Sequence, residues 1–123
     1  MMLTQLAFAY FALAIGYNAL SQISLDMTGK KFAPTEPAYG LQVMSLVLVI
    51  FALRTVMPLW VFLPLFTLWT LSIIRFGVGN HLAGYDPQTY LSKFTWISAL
   101  VINIFGAVTF VLYIINSLHI HLV

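Results

Sequence analysis

Long runs of apolar residues, separated by short polar intervals, dominate this chain. The runs cover residues 3–25, 37–53, 58–74 and 95–118. Each is close to the roughly 20 mainly apolar residues that a helix needs to cross the hydrocarbon core of a bilayer. Because backbone groups in lipid must satisfy their own hydrogen bonds, the runs predict helices. We therefore expect an all-α polytopic membrane protein, with four transmembrane helices in a compact bundle and one domain over residues 1–123.

The interval between the third and fourth runs, residues 75–94, is the longest stretch without a continuous apolar run. It contains an arginine, a histidine, an aspartate and a lysine, namely Arg75, His81, Asp86 and Lys93. Three glycines that permit tight turns or close approach stand among them, namely Gly77, Gly79 and Gly84. Asp followed by Pro is typical of a helix start, so Asp86-Pro87 predicts a short interfacial helix leading into the last span.

Composition strengthens the membrane interpretation and removes several classes of function. Hydrophobic residues make up 62% of the chain and charged residues 7%, whereas soluble domains carry about 25% charged residues. The net charge of +2 is too small for the clustered basic face of a nucleic-acid-binding protein, so we expect no nucleic-acid partner. The absence of cysteine excludes disulfides, thiolate nucleophiles and cysteine-ligated metal sites.

The distribution of basic residues predicts an orientation in the membrane. The intervals 26–38 and 75–94 lie on one side of a four-span protein and hold Lys30, Lys31, Arg75 and Lys93. The opposite side holds only Arg54. Because cytoplasmic loops carry an excess of Lys and Arg, we expect both intervals in the cytoplasm and both termini outside, in a plasma (inner) membrane.

The ionisable residues argue against a self-sufficient transporter or cofactor protein. No charged residue or histidine lies near the middle of a predicted span, although proton-coupled transporters and buried-haem proteins keep such groups at depth. Of the histidines, His119 and His121 are two residues apart and would point away from each other on a helix. Since metal sites need three or four converging ligands, we expect no metal and no cofactor.

Small and amide residues recur at helical spacing in the first and last spans. They are Ala12, Gly16 and Asn18 in the first span, and Ala99, Asn103, Gly106 and Ala107 in the last. Small side chains let membrane helices approach closely, and an amide hydrogen-bonds across the contact. The pattern predicts helix packing, either within one protomer or against a second copy.

The missing intramembrane charge, cofactor ligands and soluble domain favour an accessory or structural role. On this hypothesis, the chain is a non-enzymatic subunit of a membrane assembly or envelope process. It would act with a membrane-protein partner or as a homo-oligomer, in contact with membrane lipids.

Two alternatives assign a site to the polar residues. In the first, a lipid-binding or lipophile-binding protein or membrane enzyme uses polar residues at the cytoplasmic interface, namely Lys30, Lys31, Arg75, His81, Tyr85, Asp86 and Lys93. Guanidinium, imidazole and carboxylate groups suit an anionic headgroup or acid–base chemistry. The plain interpretation is that Arg75 snorkels, Asp86 caps a helix and His81 hydrogen-bonds in a loop. In the second, a small pore formed by oligomerisation is lined by Asn18, Asn103, Thr67 or Thr70.

Overall fold

The computed structural model describes residues 2–122, and the side chains of residues 2–120. The helices are α1 (Met2–Thr28), α2 (Pro37–Ala52), α3 (Leu59–Ser72), α4 (Gly79–Leu82) and α5 (Lys93–Leu122), with a π-helical segment (Ile73–Val78) between α3 and α4. The described residues contain no strand. The expected all-α membrane bundle is therefore confirmed.

Three helical stretches are long and apolar enough to cross a membrane, namely Met2–Thr28, Leu59–Leu82 and Lys93–Ile120. The fourth apolar helix, α2, is shorter at 16 residues. It begins at Pro37, whose fixed backbone angle and missing N–H suit a first helical position. At 1.5 Å per residue α2 reaches about 24 Å, less than the hydrocarbon thickness of about 30 Å.

The third helical stretch is longer than predicted, because it continues beyond Ile74 through the π-helical segment and α4. Gly77 and Gly79 do not end it, although glycine costs about 1 kcal/mol in a helix interior. Among the described glycines, only Gly29 and Gly84 have positive φ, at 76° and 126°. The chain therefore leaves the helical path just before Gly84.

Within the described residues no helix begins at Asp86, and the helical segment nearest before the last span is α4, the end of the third stretch. Residues 87–89 form a turn instead. The Gln88 backbone N–H donates to Asp86 Oδ1 at 2.9 Å, and the Tyr90 backbone N–H donates to the Asp86 carbonyl at 3.0 Å. Asp86 thus organises a turn, which is the other structure that short polar side chains favour.

The start of α5 is fixed by a reciprocal pair of hydrogen bonds between Ser92 and Thr95. The Thr95 N–H donates to Ser92 Oγ at 3.1 Å, and the Ser92 N–H donates to Thr95 Oγ1 at 3.0 Å. This is the geometry of a capping box, with Thr in the position usually held by Glu or Gln.

The helices are arranged in the order α2, α1, α5, π-helical segment, with α1 packed against both α2 and α5. In one half of the bundle, almost completely buried rings form an aromatic core of Tyr10, Phe11, Phe51, Phe62, Phe66 and Phe110. Phe66 and Phe110 meet edge to face with ring centroids 4.7 Å apart. These rings fill the space between the helices in the half of the bundle nearest the α2–α3 connection.

The other end of the bundle is covered by the connection between α1 and α2, whose residues 32–35 we call the roof. The Phe32 carbonyl accepts from the Leu91 N–H at 3.1 Å and from Thr95 Oγ1 at 2.9 Å. The Phe32 N–H donates to Ser21 Oγ at 2.8 Å. The roof is therefore tied to α1, to α5 and to the connection before α5.

Candidate ligand cavity

A partly open cavity of about 460 Å³ lies between the aromatic core and the roof. Its walls come from α1, α2, the α3–α4 stretch and α5, and its polar lining includes Tyr17, Asn18, Tyr39, Asn80, His81 and Asn103. None of the residues that line it is Asp, Glu, Lys or Arg. The volume lies within the roughly 300–1,000 Å³ of small-molecule sites, and the lining is polar without fixed charge.

Two asparagines on neighbouring walls present amide oxygens at the cavity. Asn18 Nδ2 donates to the Ala14 carbonyl at 2.9 Å, and Asn103 Nδ2 donates to the Ala99 carbonyl at 2.7 Å. Because a carbonyl only accepts, these bonds fix which amide atom is nitrogen. Neither Oδ1 accepts a hydrogen bond from a described residue, and neither is a fully shielded unpaired atom. Both oxygens therefore lack a hydrogen-bond donor among the described residues.

Each of these amides faces a glycine on the adjacent wall. Asn18 lies against Gly40 of α2, and Asn103 lies against Gly77 of the π-helical segment. A Cβ added at either glycine would come closer to the amide oxygen than real Cβ contacts allow. The close approach of α2 to α1, and of the π-helical segment to α5, thus depends on glycine at these positions.

His81 is buried and is held by aromatic neighbours rather than by a carboxylate. Its Nδ1 lies 2.8 Å from the Tyr90 hydroxyl, and its carbonyl accepts from Trp96 Nε1 at 2.8 Å. The Tyr85 ring lies 6.1 Å from the Tyr90 ring. Burial, together with the charge of Asp86, raises the pKa of Tyr90. Tyr90 therefore stays protonated at neutral pH and can donate to His81.

The residues of the predicted headgroup site, Arg75, His81 and Asp86, do not contact one another through hydrogen bonds or ion pairs in the described structure. Arg75 is exposed, with its guanidinium carbon 5.9 Å from the centre of the neighbouring Phe76 ring. Asp86 bonds within its own turn, and no hydrogen bond or ion pair joins Arg75, His81 and Asp86 in residues 2–120. Of the predicted set, His81 lines the cavity. A binding role for Arg75, Tyr85 or Asp86 stays a prediction.

The predicted lysines lie at the end of the bundle that carries the roof. Lys30 and Lys31 line a second cleft of about 430 Å³, opposite residues 87–91. Lys31 Nζ lies 3.5 Å from Glu36 Oε2. Lys93 is exposed at the first position of α5. Binding of lipid headgroups by these lysines stays a prediction.

The small residues of the last span are buried, whereas the pair in the first span is not. Ala99 and Ala107 are buried, and a Cβ added at Gly106 would strike the Tyr10 ring. Ala12 is exposed, and a Cβ added at Gly16 would meet nothing within 4 Å. Within the described chain, Ala12 and Gly16 therefore do not mediate a close helix approach. Their use against a second copy stays a prediction.

The residues predicted to line a pore separate into two groups. Asn18 and Asn103 line the cavity, but Thr67 and Thr70 do not. The Thr70 hydroxyl is buried and donates to the Phe66 carbonyl at 2.8 Å, as membrane serines and threonines commonly do. One protomer therefore does not bring these four residues to a common lumen.

The histidines at the end of the chain are only partly described. His119 is exposed, and the side chain of His121 lies outside the described residues. No group of three or more His, Asp or Glu side chains that would hold a metal ion occurs in the described part of the chain.

Several cavity residues were not identified from the sequence, including Tyr17, Tyr39, Trp69 and Asn80. Their signal was the recurrence of polar residues every three or four positions within an apolar span. On α1, Tyr10, Tyr17 and Ser21 lie on one helical face, seven and four residues apart. Trp69 Nε1 is buried and has no hydrogen-bond acceptor among the described residues.

The use of the cavity must be inferred from its own residues. No protein-family model matches this chain, and no curated protein and no solved structure shows significant similarity to it.

Proposed function

We propose that this protein binds a neutral lipid whose head carries hydroxyl or amide donors, and that the head occupies the cavity. The observation that carries the proposal is a space of about 460 Å³ with a polar, uncharged lining inside a bundle of apolar helices. Polar groups at membrane depth are costly unless they are paired, and they commonly mark functional sites. A ligand with matching polar groups would supply the partners.

The free amide oxygens of Asn18 and Asn103 define the chemistry of the head. Both are acceptors, so they favour a ligand that donates hydrogen bonds. The lining contains no Lys or Arg for a phosphate or carboxylate, and no Asp or Glu for a cation. A head with hydroxyl donors and no charge fits this lining best.

The experiment compares three oleoyl compounds that differ only in the head. The protein, purified in a mild detergent, is incubated with monoolein, methyl oleate or oleate, and retention is read by native mass spectrometry. Monoolein offers two hydroxyl donors, methyl oleate offers none, and oleate is an anion. We expect monoolein to be retained most strongly.

A double variant tests the role of the amides. Asn18→Leu with Asn103→Leu keeps the branched shape of each side chain and removes both acceptors. Since one net hydrogen bond is worth about 0.5–1.5 kcal/mol, each substitution should weaken monoolein binding by roughly 2- to 13-fold. Gln42→Leu is the matched control, because Gln42 is an exposed amide on α2 that does not line the cavity.

Equal retention of monoolein and methyl oleate would contradict the proposal. So would unchanged monoolein binding in a double variant that elutes as a folded species. Preferential retention of oleate would indicate that the ligand binds the basic residues at the roof end, including Lys30 and Lys31, and not the uncharged cavity.

The accessory-subunit hypothesis stays a prediction. Exposed Ala12 and half-buried Gly16, beside which an added Cβ would meet nothing, offer a surface where another helix would pack closely. Native mass spectrometry of the tagged protein from its own membranes reads this directly, because a stoichiometric foreign subunit would support an accessory role. A double Ala12→Leu, Gly16→Leu variant should then lose that subunit.

A further inference from the structure

The roof closes part of the cavity at this end of the bundle, whereas Thr35 of the roof and Asn80 of α4, which also line the cavity, are exposed. Phe32 uses both of its backbone groups to hold the roof in place, with its N–H bonded to Ser21 and its carbonyl bonded to Leu91 and Thr95. Ala33, which lines the cavity from the roof, is buried. A ligand passing through the roof at Phe32 would have to break these bonds.

The cavity is also closed at its floor and along its back wall. Tyr10 forms part of the floor and is completely buried, with its ring 5.0 Å from that of Phe110. The back wall is the contact between α1 and α5, where Gly106 lets the Tyr10 ring lie directly against α5. Neither boundary leaves space for a ligand to pass.

One side of the cavity is not closed by helix contact. Both α2 and the π-helical segment line it, yet no residue of α2 has its Cα within 8 Å of a Cα in the π-helical segment or in α4. Tyr39 of α2 and Phe76 of the π-helical segment both line the cavity. These side chains are 64% and 61% exposed. They border a gap that faces the side of the bundle, where lipid lies.

We infer that this gap, bordered by Tyr39 and Phe76, is a lateral portal through which the ligand enters from the bilayer. The ligand's head lies in the cavity and its hydrocarbon tail extends through the portal into the lipid. The identity of the ligand rests on the proposed function, but the existence of the portal does not.

The portal places the ligand among lipids with long tails rather than among soluble metabolites. A tail that stays in hydrocarbon pays no hydration penalty during entry, and burial of each CH₂ from water is worth about 0.8 kcal/mol. The rings at the two edges of the portal are apolar bodies that suit contact with such a tail.

Tryptophan fluorescence tests where the cavity opens. Trp60→Phe with Trp96→Phe leaves Trp69, which lines the cavity. In vesicles of phosphatidylcholine brominated on its acyl chains, we expect Trp69 emission to fall nearly as strongly as that of the control. The control is Trp69→Phe with Trp96→Phe, which leaves Trp60, 78% exposed. Acrylamide in the water should quench Trp69 weakly.

A cross-link across the portal provides the second measurement. The chain contains no cysteine, so Tyr39→Cys with Phe76→Cys in the Trp69-only protein creates a unique pair for a flexible bis-maleimide. We expect the cross-linked protein to lose both bromide quenching and monoolein uptake. Each single cysteine variant, treated with the same reagent, is the matched control and should keep both.

The outcomes separate the portal from the ligand. Strong acrylamide quenching without bromide quenching would show entry from water and overturn the portal, and so would bromide quenching that the cross-link leaves unchanged. An absence of both kinds of quenching would show a closed cavity and also overturn it. A portal that behaves as expected in a protein that retains no monoolein would instead contradict the proposed function.

Discussion

At the scale of single residues, glycines in similar sequence surroundings have different physical roles. Gly40 and Gly77 admit an asparagine amide, Gly106 admits the Tyr10 ring, and Gly16 faces open space. The sequence analysis identified Gly16, Gly77 and Gly106 as permissive but not Gly40, and it did not distinguish the neighbours of these glycines. That information depends on which helix lies opposite, and spacing along one helix does not contain it.

Gly106→Ala should lower the free energy of unfolding by about 1–3 kcal/mol, because overpacking displaces neighbours in a packed core. The neighbour here is the completely buried Tyr10 ring. Gly16→Ala is the control, since the added Cβ meets nothing and alanine improves helix propensity by up to about 1 kcal/mol. Unfolding by SDS in detergent micelles measures both. Equal effects would contradict the packing described for Gly106.

Tyr90→Phe should destabilise the protein by about 1–3 kcal/mol, because it leaves the buried His81 Nδ1 without its partner. Tyr85→Phe is the matched control, since no described hydrogen bond involves the Tyr85 hydroxyl.

The pKa of Tyr90 is raised above its usual value of about 10. The contribution of Tyr90 is therefore complete at neutral pH and declines as the pH rises beyond that value. Unfolding at pH 7 and above pH 10 checks both expectations, and the Phe variant should show less loss at high pH.

At the scale of elements, the apolar runs located all the main helices, and the errors lie where polar residues interrupt them. Arg75, Gly77 and Gly79 were interpreted as the end of a span. The helix continues past them because glycine tolerates helical angles and a long arginine side chain remains exposed near the membrane boundary. The last helix begins at Lys93, two residues before the predicted start at residue 95, and its cap pairs Ser92 with Thr95, a weaker signal than Ser with Glu.

Thr95→Val should lower the free energy of unfolding by about 1–3 kcal/mol, because it removes the buried hydroxyl that accepts from the Ser92 N–H and leaves that donor unpaired. It also removes the bond from Thr95 Oγ1 to the Phe32 carbonyl, so backbone amides of the roof should exchange hydrogen faster. Thr67→Val is the control, because no described hydrogen bond involves the Thr67 side chain. If the backbone amides of the roof exchange hydrogen at the same rate in Thr95→Val, the other hydrogen bonds of Phe32 suffice to hold the roof in place.

At the scale of the whole molecule, the bundle has two unlike halves that the sequence did not predict. One half is filled by aromatic rings, and the other contains the cavity. Both halves consist of apolar spans with occasional polar residues. The difference arises because α2 and the π-helical segment stay apart, which is a property of helix arrangement and not of any one span.

The ends of the bundle also differ in charge, and this supports a prediction of orientation. Lys30, Lys31 and Lys93 belong to the roof end, whereas Arg54 lies at the opposite end with its guanidinium carbon 4.6 Å from the centre of the Phe51 ring. By the excess of basic residues in cytoplasmic loops, we expect the roof end inside the cell.

Single cysteines test the orientation, because the chain has none of its own. Thr55→Cys and Thr89→Cys place a thiol at exposed positions on opposite ends of the bundle. In intact cells, a membrane-impermeant maleimide should label the Thr55 variant, and it should reach the Thr89 variant only after permeabilisation. The reverse pattern would place the roof outside.

The shortness of α2 has a consequence for the membrane around the protein. Because α2 spans about 24 Å and the hydrocarbon layer is about 30 Å thick, the bilayer next to α2 must become locally thinner. The mismatch costs fractions of a kcal/mol per Å, so the protein gains by residing where the bilayer is already thin. We expect it to partition into regions of short or disordered acyl chains, with the α2 flank turned toward them. Its distribution between thin and thick domains of one mixed vesicle would measure this preference.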